Sequence, residues 1–574
     1  MTMAFGLVTC ANPALVRCRA LAEQWHSGQS ERRKSSIMKK RIITLLLALV
    51  LVLSCGTAAL AEGVTPVLTE VEGGRIMGYK MGDVNIFKGI PYAQAERFEM
   101  PEPASWEDIR ACLVFSEVCP QGQYSNNAND FASVSNYFVE DREENEFLSV
   151  NVWTTDMDPE AAKPVIFWIH GGGYASGSSA ELEYYDGYNM ANDGDVVFVS
   201  VNHRLNYLGY MDLSAYGEDY KYTGNLGHAD LIAALTWVQN NISIFGGDPD
   251  NVTIMGQSGG GTKVTQLMGM PAAVDLFDKA VALSGGSVQV TRTTEQAQAE
   301  TAALVSYLGL DGYSNEYIIS YLKTMPYDDL CAAARAAGCS YGATVDGDFY
   351  PTGTYELSAD KPVIFSSCLG EFTTSGGYMT GKTWPKYLTD EDIETHYLSG
   401  ITEEAAMERI TEMYGDRAQE VIDAYKAAYP THEFKDLLYT TNRNNNLATA
   451  MAEYGNENVY QCVQAYNAPY MGGTTAQHTG GDIAYWFRNL GLTDVRFMTY
   501  GDEECGQKVS DEMSGAILSL CHNGTPSTDT LPWVPFTVEN GETMIFDRES
   551  EVRNYHDRAY MELVAEINAE KAAQ

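Results

Sequence analysis

The chain has 574 residues, of which 45% are hydrophobic and 11% aromatic. This content is enough for a large buried core and excludes an intrinsically disordered protein. The formal net charge of −40 argues against binding to nucleic acid or to an anionic membrane surface, because both are themselves negatively charged. No long linker or repeat interrupts the sequence, which favours one large soluble domain with loop insertions.

The N-terminal segment has the pattern of a secretory signal peptide. A basic stretch that begins at Met38 precedes the apolar run Ile42–Leu53 and the small residues Ala59–Ala61. The apolar run is too short to span a bilayer, which favours a cleaved leader over a membrane anchor. We predict translation from Met38 rather than from Met1, a spurious or untranslated extension over residues 1–37, a signal peptide over 38–61, and the functional domain over 62–574.

The cysteines leave two questions open. Cys55 follows Val-Leu-Ser, a poor lipobox, so a lipid anchor at this position is a minor alternative to secretion. An oxidising compartment favours disulfides among the later cysteines. Cys331 and Cys339 are the best candidates for such a pair by their spacing, which fits no strong metal motif, although sequence cannot fix the connectivity.

Short apolar runs alternate with amphipathic stretches along the rest of the chain. Residues 229–242 have apolar positions at helical spacing, and residues 403–415 form a second predicted helix with Gly415 at its end. Strands alternating with helices predict a mostly parallel sheet covered on both faces, with ligands bound beyond the C-terminal ends of its strands. We predict buried strands over residues 163–170, 196–204, 251–257, 279–285, 362–367 and 458–466.

A serine stands among glycines where one predicted strand gives way to a helix. Gly256, Ser258 and Gly260 form a Gly-x-Ser-x-Gly pattern, and a helix is predicted from Thr262 to Met268. A nucleophilic serine on such a turn needs small neighbours because the backbone is strained. It also needs a base, because a serine hydroxyl is a weak nucleophile. The pattern is common by chance, so an ordinary glycine-rich turn is the alternative interpretation.

A second glycine-rich loop, HGGGY over residues 170–174, follows the strand predicted to end at His170. Consecutive glycines leave backbone N–H groups free to donate to a developing oxyanion. Either loop alone is compatible with a simple turn. Together, each at a strand end and in this order, the two loops favour a shared catalytic site.

Several longer segments match one protein family in order along the chain. These segments are FKGIPYA (87–93), FLSVNVW (147–153), HGGGY (170–174), VNHRLNYLGY (201–210), the block 224–261 and VDGDFYP (345–351). From about residue 65 to the C-terminus, the chain thus resembles the type-B carboxylesterases, the cholinesterase-like branch of the α/β-hydrolases. The resemblance implies an α/β-hydrolase fold with large loop insertions and a serine esterase that needs neither metal nor organic cofactor.

The resemblance also implies the parts of a catalytic site. Ser258 would be the nucleophile, and the N–H groups of Gly172, Gly173 and Gly259 would form the oxyanion hole. The family usually has alanine where Gly259 stands, and we expect the added backbone flexibility of glycine to loosen the hole. Ser284 resembles a second serine found near the triad, for which we expect a supporting role.

The base is expected among the five histidines that follow Ser258, because this fold orders its triad as serine, acid and histidine. His478 lies in a glycine-rich loop before an aromatic segment and resembles the family's histidine loop. Asp482 follows it one residue later than in the commonest pattern. The other four histidines are the alternatives. We expect His396 in an acidic helical segment, His432 after a Pro-Thr pair, and both His522 and His556 on the surface.

The acid is expected in a loop after a strand, and Glu371 stands at that place after the strand predicted over 362–367. The asparagine and glycine that usually surround the acid are replaced by Cys368 and Phe372. Asp346 and Asp348 are the rival carboxylates, although their glycine-linked motif fits a structural turn better.

These assignments predict a secreted serine carboxylesterase that hydrolyses small-molecule esters through an acyl-enzyme. Its oligomeric state, its natural ester and its acyl and alcohol preferences stay open. A second class of function is a catalytically inactive binding or adhesion protein, since the family contains such members. Those members typically lack the serine or the histidine, and this chain has both.

Overall fold

The chain divides into two units, Met1–Val64 and Thr65–Gln574. A computed structural model describes residues 64–121, 147–287, 292–371, 402–440, 446–467, 481–492, 496–499 and 501–573. Apart from Val64, all of them belong to the second unit. The predicted leader, Phe372, His396 and His478 lie outside the described residues.

The second unit contains a thirteen-stranded sheet and a separate two-stranded sheet. In chain order, the strands are β1 (Val64–Val71), β2 (Gly74–Met81), β3 (Val84–Pro91), β4 (Ala93–Gln94), β5 (Glu102–Pro103), β6 (Arg110–Ala111), β7 (Ser149–Thr154), β8 (Lys163–Ile169), β9 (Val197–Val201), β10 (Gly247–Gln257), β11 (Lys279–Leu283), β12 (Val363–Cys368), β13 (Val459–Gln464), β14 (Glu542–Phe546) and β15 (Glu551–Asn554). The large sheet has the order β1-β2-β3-β7-β9-β8-β10-β11-β12-β13-β14-β15, with β6 paired to β2.

The centre of the large sheet is parallel. Strands β9, β8, β10, β11, β12, β13 and β14 pair in parallel with their neighbours. Antiparallel pairs occur towards the edges, at β2-β3, β3-β7, β7-β9 and β14-β15. The prediction of a mostly parallel sheet is therefore confirmed, and each of the six predicted strands matches an observed strand.

Helices follow most of the parallel strands, as the alternating sequence pattern predicts. The predicted helices over 229–242 and 403–415 are confirmed, and the second ends at Gly415, whose φ is 59°. Among the described residues, no helix is long and apolar enough to cross a membrane. The described helices are α1 (Tyr188–Gly194), α2 (Asn206–Tyr210), α3 (Leu226–Asn241), α4 (Gly259–Leu267), α5 (Thr294–Tyr307), α6 (Asn315–Thr324), α7 (Tyr327–Ala336), α8 (Glu403–Tyr414), α9 (Ala418–Ala428), α10 (Asn446–Glu453), α11 (Ile483–Trp486), α12 (Glu503–Asn523) and α13 (Arg558–Ala572).

Both faces of the sheet are covered, as strand β8 illustrates. Val165, Phe167 and Ile169 pack in one core cluster together with residues of α3 and α4. Ile166 and Trp168 pack in another cluster, with residues of α1 and α12. Because successive side chains of a strand point to opposite faces, the two clusters lie on opposite sides of the sheet. This is the layered architecture of an α/β protein.

A buried ion pair fastens the segment after β9 to α3. The Arg204 guanidinium donates from Nη2 to Asp230 Oδ1 at 2.6 Å and from Nε to Oδ2 at 2.8 Å. The Arg204 backbone N–H donates to the same Oδ2 at 2.9 Å. The side chains are 4% and 0% exposed, so neither charge has water as an alternative partner. The pair therefore fixes the position of both elements.

The predicted disulfide between Cys331 and Cys339 is wrong, because both residues are free thiols. Cys331 lies buried on α7 beside Tyr327. Cys339 lies beyond the end of that helix, and its Sγ contacts the carbonyl oxygen of Glu300 at 3.1 Å. A helix rises about 1.5 Å per residue, so the rest of α7 separates the two thiols. Spacing along the sequence could not show that a helix lies between them.

We expect Asp230→Asn to lower the free energy of unfolding by about 3–5 kcal/mol, because it leaves the buried Arg204 charge without a countercharge. Urea denaturation measures this loss. Asp348→Asn is the matched control, since Asp348 pairs with Lys221 at 2.6 Å but both side chains are exposed. Removing an exposed pair should cost less than about 1 kcal/mol. Equal losses in the two variants would contradict the structural role of the buried pair.

Candidate active site

Ser258 occupies a strained turn between β10 and α4. Its φ of 52° and ψ of −119° lie in a region that residues with side chains rarely adopt, at a cost of about 1–3 kcal/mol. Its backbone N–H donates to the carbonyl oxygen of Leu283, at the end of the neighbouring β11, at 2.8 Å. The predicted strand-to-helix turn is thus present at the C-terminal end of a parallel strand.

Packing explains why glycines surround this serine. A Cβ atom on Gly256 would lie 2.5 Å from the carbonyl carbon of Gly260. A Cβ on Gly260 would lie 2.0 Å from the carbonyl oxygen of Ile169, on β8. A Cβ on Gly285 would lie 2.0 Å from the carbonyl oxygen of Ser258 itself. Any side chain at these three positions would push the strands away from the turn. Glycine is therefore required here because backbone segments approach one another closely.

The glycine loop after β8 lies directly against the serine turn. Gly172 and Gly173 have φ values of 89° and 64°, which favour glycine. A Cβ on Gly171 would lie 3.6 Å from Cβ of Ser258, and a Cβ on Gly259 would lie 2.4 Å from the backbone nitrogen of Gly173. The structure therefore brings together all three glycines predicted for the oxyanion hole.

The position of Gly259 bears on the alanine that relatives usually have there. Gly259 is the first residue of α4, where backbone N–H groups have no partner within the helix. The loop lies closer to Gly259 than an alanine side chain permits, so alanine would require the loop to move outwards. The expected loosening of the hole stays a prediction.

Three anchors hold the glycine loop, and the sequence analysis identified none of them. Gln121 accepts a hydrogen bond from the Gly177 N–H at 2.8 Å and donates to the Gly177 carbonyl at 3.1 Å. The N–H of Asn206 donates to the carbonyl of Tyr174 at 2.6 Å. The Tyr174 hydroxyl donates to the Gln266 amide oxygen at 2.9 Å. Each contact is made to the loop's backbone or to Tyr174. No motif in the sequence predicts such contacts.

Glu371 lies two strands away from Ser258, in the turn after β12. Its Oε1 accepts a hydrogen bond from the backbone N–H of Cys368 at 2.8 Å. Ser284, in the turn after β11, donates from its backbone N–H to Ser366 at 2.9 Å and from its hydroxyl to Cys368 Sγ at 3.5 Å. Because β10, β11 and β12 are adjacent, the three predicted site residues follow consecutive strand ends.

Asp482 marks the end of the histidine loop. Its carboxylate is buried, and Oδ2 accepts a hydrogen bond from the Trp486 indole at 3.1 Å. Burial raises the pKa of the Cys368 thiol, and the negative charges of Asp482 and Glu371 raise it further. The residue four positions after His478 therefore lies beside the turn that carries Glu371. His478 itself is outside the described residues.

The rival histidines that the structure describes lie in other surroundings. His432 is buried between two carboxylates, with its ring nitrogens 3.7 Å from Asp436 and 3.5 Å from Asp547. His522 is exposed, as predicted. The expectation of a surface position for His556 is wrong, because its side chain is only 1% exposed. The ring packs against Tyr429, with Nε2 3.2 Å from the hydroxyl oxygen, and a C-terminal position did not reveal this contact.

Asp346, the rival acid, holds a turn. Its Oδ1 accepts hydrogen bonds from the backbone N–H groups of Asp348 and Tyr350, at 3.0 and 2.8 Å. Its Oδ2 accepts one from the Asn225 amide at 3.2 Å. These contacts support the interpretation of the Asp346–Tyr350 motif as a structural turn.

Within the described ranges, no group of three or more His, Cys, Asp or Glu side chains is arranged to hold a metal ion. The site consists of a serine turn and a glycine loop at the C-terminal ends of parallel strands covered by helices. This arrangement is that of the α/β-hydrolase fold.

Comparison with known proteins identifies the family. A profile of the carboxylesterase family matches residues 65–563. The chain is 32% identical to the para-nitrobenzyl esterase of Bacillus subtilis over 502 residues, which cover 84% of this chain and 95% of that protein. The chain belongs to the carboxylesterase family and is a carboxylic ester hydrolase.

Solved structures agree with this assignment. An esterase from Clostridium hathewayi, described as able to hydrolyse aliphatic aromatic polyesters, has a TM-score of 0.74 and 33% sequence identity, covering 88% of this chain and 100% of its own. A carboxylesterase of Geobacillus stearothermophilus has a TM-score of 0.65 and 29% identity, covering 86% and 99%.

We expect Glu371→Gln to lower kcat strongly, on the order of 10⁴-fold as in a studied triad, while KM and thermal stability stay nearly unchanged. An amide of the same shape can hold the histidine ring in the wrong tautomer. Asp346→Asn should instead lower the thermal midpoint and change the rate modestly, because its carboxylate holds a turn. Hydrolysis of a short-chain ester and circular dichroism on both variants check this. A near-native Glu371→Gln beside a folded but inactive Asp346→Asn would transfer the acid role to Asp346.

Proposed function

We propose that this carboxylesterase is a secreted serine esterase that works through an acyl-enzyme. Ser258 is the nucleophile, His478 the general base and Glu371 the acid that orients the histidine. The N–H groups of Gly172, Gly173 and Gly259 form the oxyanion hole, and Ser284 supports the site. The observation that carries this proposal is the left-handed Ser258 turn with the glycine loop packed against it.

The reaction follows from these roles. His478 takes the proton from the Ser258 hydroxyl as the oxygen attacks the ester carbonyl. The electron pair of the carbonyl moves to its oxygen, which accepts hydrogen bonds from the three glycine N–H groups. His478 then donates its proton to the leaving alcohol as the carbon–oxygen bond breaks. A water molecule, activated by the same histidine, releases the carboxylic acid and restores Ser258.

The polar contacts between neighbouring turns support this assignment. The Ser258 N–H donates a hydrogen bond to the end of β11. In the turn after β11, Ser284 donates hydrogen bonds to Ser366 and Cys368 of β12. Glu371 is tied to Cys368 by its carboxylate. This chain of contacts fixes the acid's turn relative to the nucleophile's turn, as a triad requires, since a misplacement of about 1 Å can cost 10²-fold in rate.

The relatives suggest the first substrates to test. Two of them are named for the hydrolysis of para-nitrobenzyl esters and of aliphatic aromatic polyesters. We propose that this chain, too, accepts esters with an aromatic group on either side of the carbonyl. A panel of acetate, butyrate and benzoate esters of para-nitrobenzyl alcohol, para-nitrophenol and methanol measures this preference. A clear preference for purely aliphatic esters would contradict it.

Ser258→Ala should abolish ester hydrolysis with no loss of fold, because it removes one hydroxyl group from the site. Triad knockouts in a comparable serine hydrolase cost about 10⁶-fold in kcat. His478→Ala should be similarly inactive, whereas the buried His432 is not at the serine and His432→Ala should keep kcat where the variant folds. A fluorophosphonate probe should label Ser258 in the unmodified enzyme and label no residue in Ser258→Ala. Substantial turnover by folded Ser258→Ala would overturn the proposed mechanism.

Secretion is supported by the pattern of residues 38–61. We expect the mature protein from its native host to begin just after Ala61 and to be recovered outside the cytoplasm, because a leader with this pattern is cut after its small residues. N-terminal sequencing and cell fractionation measure both. A mature N-terminus at Cys55 carrying lipid would favour the anchored alternative, and an uncut protein that starts at Met38 or earlier would contradict secretion.

A further inference from the structure

Lys263 is a buried lysine behind the proposed oxyanion hole. It lies on α4, one turn after Gly259, and its side chain is 0% exposed. Its ammonium nitrogen lies 2.5 Å from the carbonyl oxygen of Gly173 and 3.3 Å from that of Gly259. It also lies 4.9 Å from the ring centroid of Tyr174. Lys263 thus contacts both segments that form the proposed hole, the glycine loop at Gly173 and Tyr174 and the start of α4 at Gly259.

A lysine at this position is costly to stability. Burying an ammonium group removes its water, and here burial lowers the pKa of Lys263 to about 7. Among the described residues, no carboxylate pairs with it, in contrast to the buried Arg204, which Asp230 neutralises. A methionine of similar length would fill the same space without desolvating a charge. Packing alone therefore does not account for Lys263.

We propose that Lys263 is a positioning residue of the oxyanion hole, whose ammonium group holds the glycine loop against the N-terminus of α4 and places positive charge behind the donors. This inference rests on the function proposed above. The ammonium links a carbonyl of the loop to a carbonyl of the nucleophile's helix, which fixes the distance between Gly173 and Gly259. An oxyanion gains from both effects, because preorganised donors and a buried positive charge stabilise the negative charge that develops there.

His170, His203, His228 and Tyr174 interact with Lys263, and Tyr210 contacts two of them. Burial, together with the charge of Lys263, lowers the pKa of His170 and of His228 to about 3. The pKa of His203 is also lowered, by burial and then by the neighbouring His170. Burial raises the pKa of Tyr174 to about 12 and that of Tyr210 well above its ordinary value. These five groups therefore keep one charge state, neutral, where Lys263 titrates.

The first test is Lys263→Met, with Lys279→Met as the matched control. Lys279 is a half-buried lysine, but it lies at the start of β11 and its Nζ donates to Asn251 at 2.5 Å. We expect Lys263→Met to lower kcat about 10- to 100-fold, less than the ~10²–10³-fold for loss of a direct oxyanion donor. KM should change less than twofold and the thermal midpoint should stay equal or rise. Lys279→Met should keep wild-type kcat.

The second test is inhibition by a trifluoromethyl ketone. If Lys263 had only a structural role, its replacement would leave the inhibition constant unchanged. Ser258 adds to the ketone's carbonyl, the π electron pair moves to the oxygen, and the serine proton passes to His478, so that an oxyanion occupies the hole. The inhibition constant of Lys263→Met should rise by about the same factor as kcat falls. Unchanged kcat and inhibition in folded Lys263→Met would overturn the inference, and so would a loss of stability without a loss of kcat.

A third measurement uses the unmodified enzyme and does not depend on whether a variant folds. Since the protonated form of Lys263 is the active one, kcat/KM should fall as the pH rises through the pKa of Lys263, near 7. Loss of activity at low pH belongs to His478, which must be neutral to act as base. A level kcat/KM from pH 7 to 9.5 would overturn the inference. An active Ser258→Ala would instead overturn the proposed function, so the two failures are distinguishable.

Discussion

The whole site depends on one steric constraint, the approach of three backbone segments at the end of β10. The serine turn, the loop after β8 and the turn after β11 meet so closely that hypothetical Cβ atoms would lie 2.0–2.6 Å from the opposing backbone. A side chain on Gly256, Gly260 or Gly285 would separate these segments, whose N–H groups converge on one point in the proposed oxyanion hole. The strained Ser258 turn fits between these segments because its neighbours have no side chains.

The parallel sheet turns this local constraint into a site that spans the chain. Ser258, Ser284 and Glu371 are separated by up to 113 residues in sequence (371 minus 258), yet they follow three adjacent strands. Adjacent parallel strands end at the same edge, so the turns after them are neighbours whatever the length of the insertions between them. This explains how long loops can vary while the contacts through Cys368 hold the turn that carries Glu371 in place. It also explains why Asp482, at the end of the proposed histidine loop, lies near Cys368 and Glu371.

The sequence predicted much of this arrangement because the relevant signals are local. Buried parallel strands are short apolar runs, and a close backbone approach requires glycine, so strands and turns are both visible in the residue types. Groups that act across elements carry no such signal. Lys263 looks like an ordinary solvated helix position until the glycine loop covers it, and Gln121 acts only through the backbone of Gly177. The wrong disulfide between Cys331 and Cys339 has the same origin, since proximity in sequence does not show that α7 separates the two thiols.

Several costs to stability are concentrated at the same place. The strained backbone of Ser258 and the desolvated ammonium of Lys263 each favour a relaxed alternative over the observed structure. They persist because rigid elements surround them. Strands β8, β10 and β11 are fixed by pairing on both sides, and the Arg204–Asp230 pair fixes the segment that leads to Asn206, an anchor of the glycine loop. In the proposed mechanism, the hydrogen-bond donors must be in place before the oxyanion forms and cannot relax around it. The rigidity of the sheet would then allow the strained arrangement to act on the substrate.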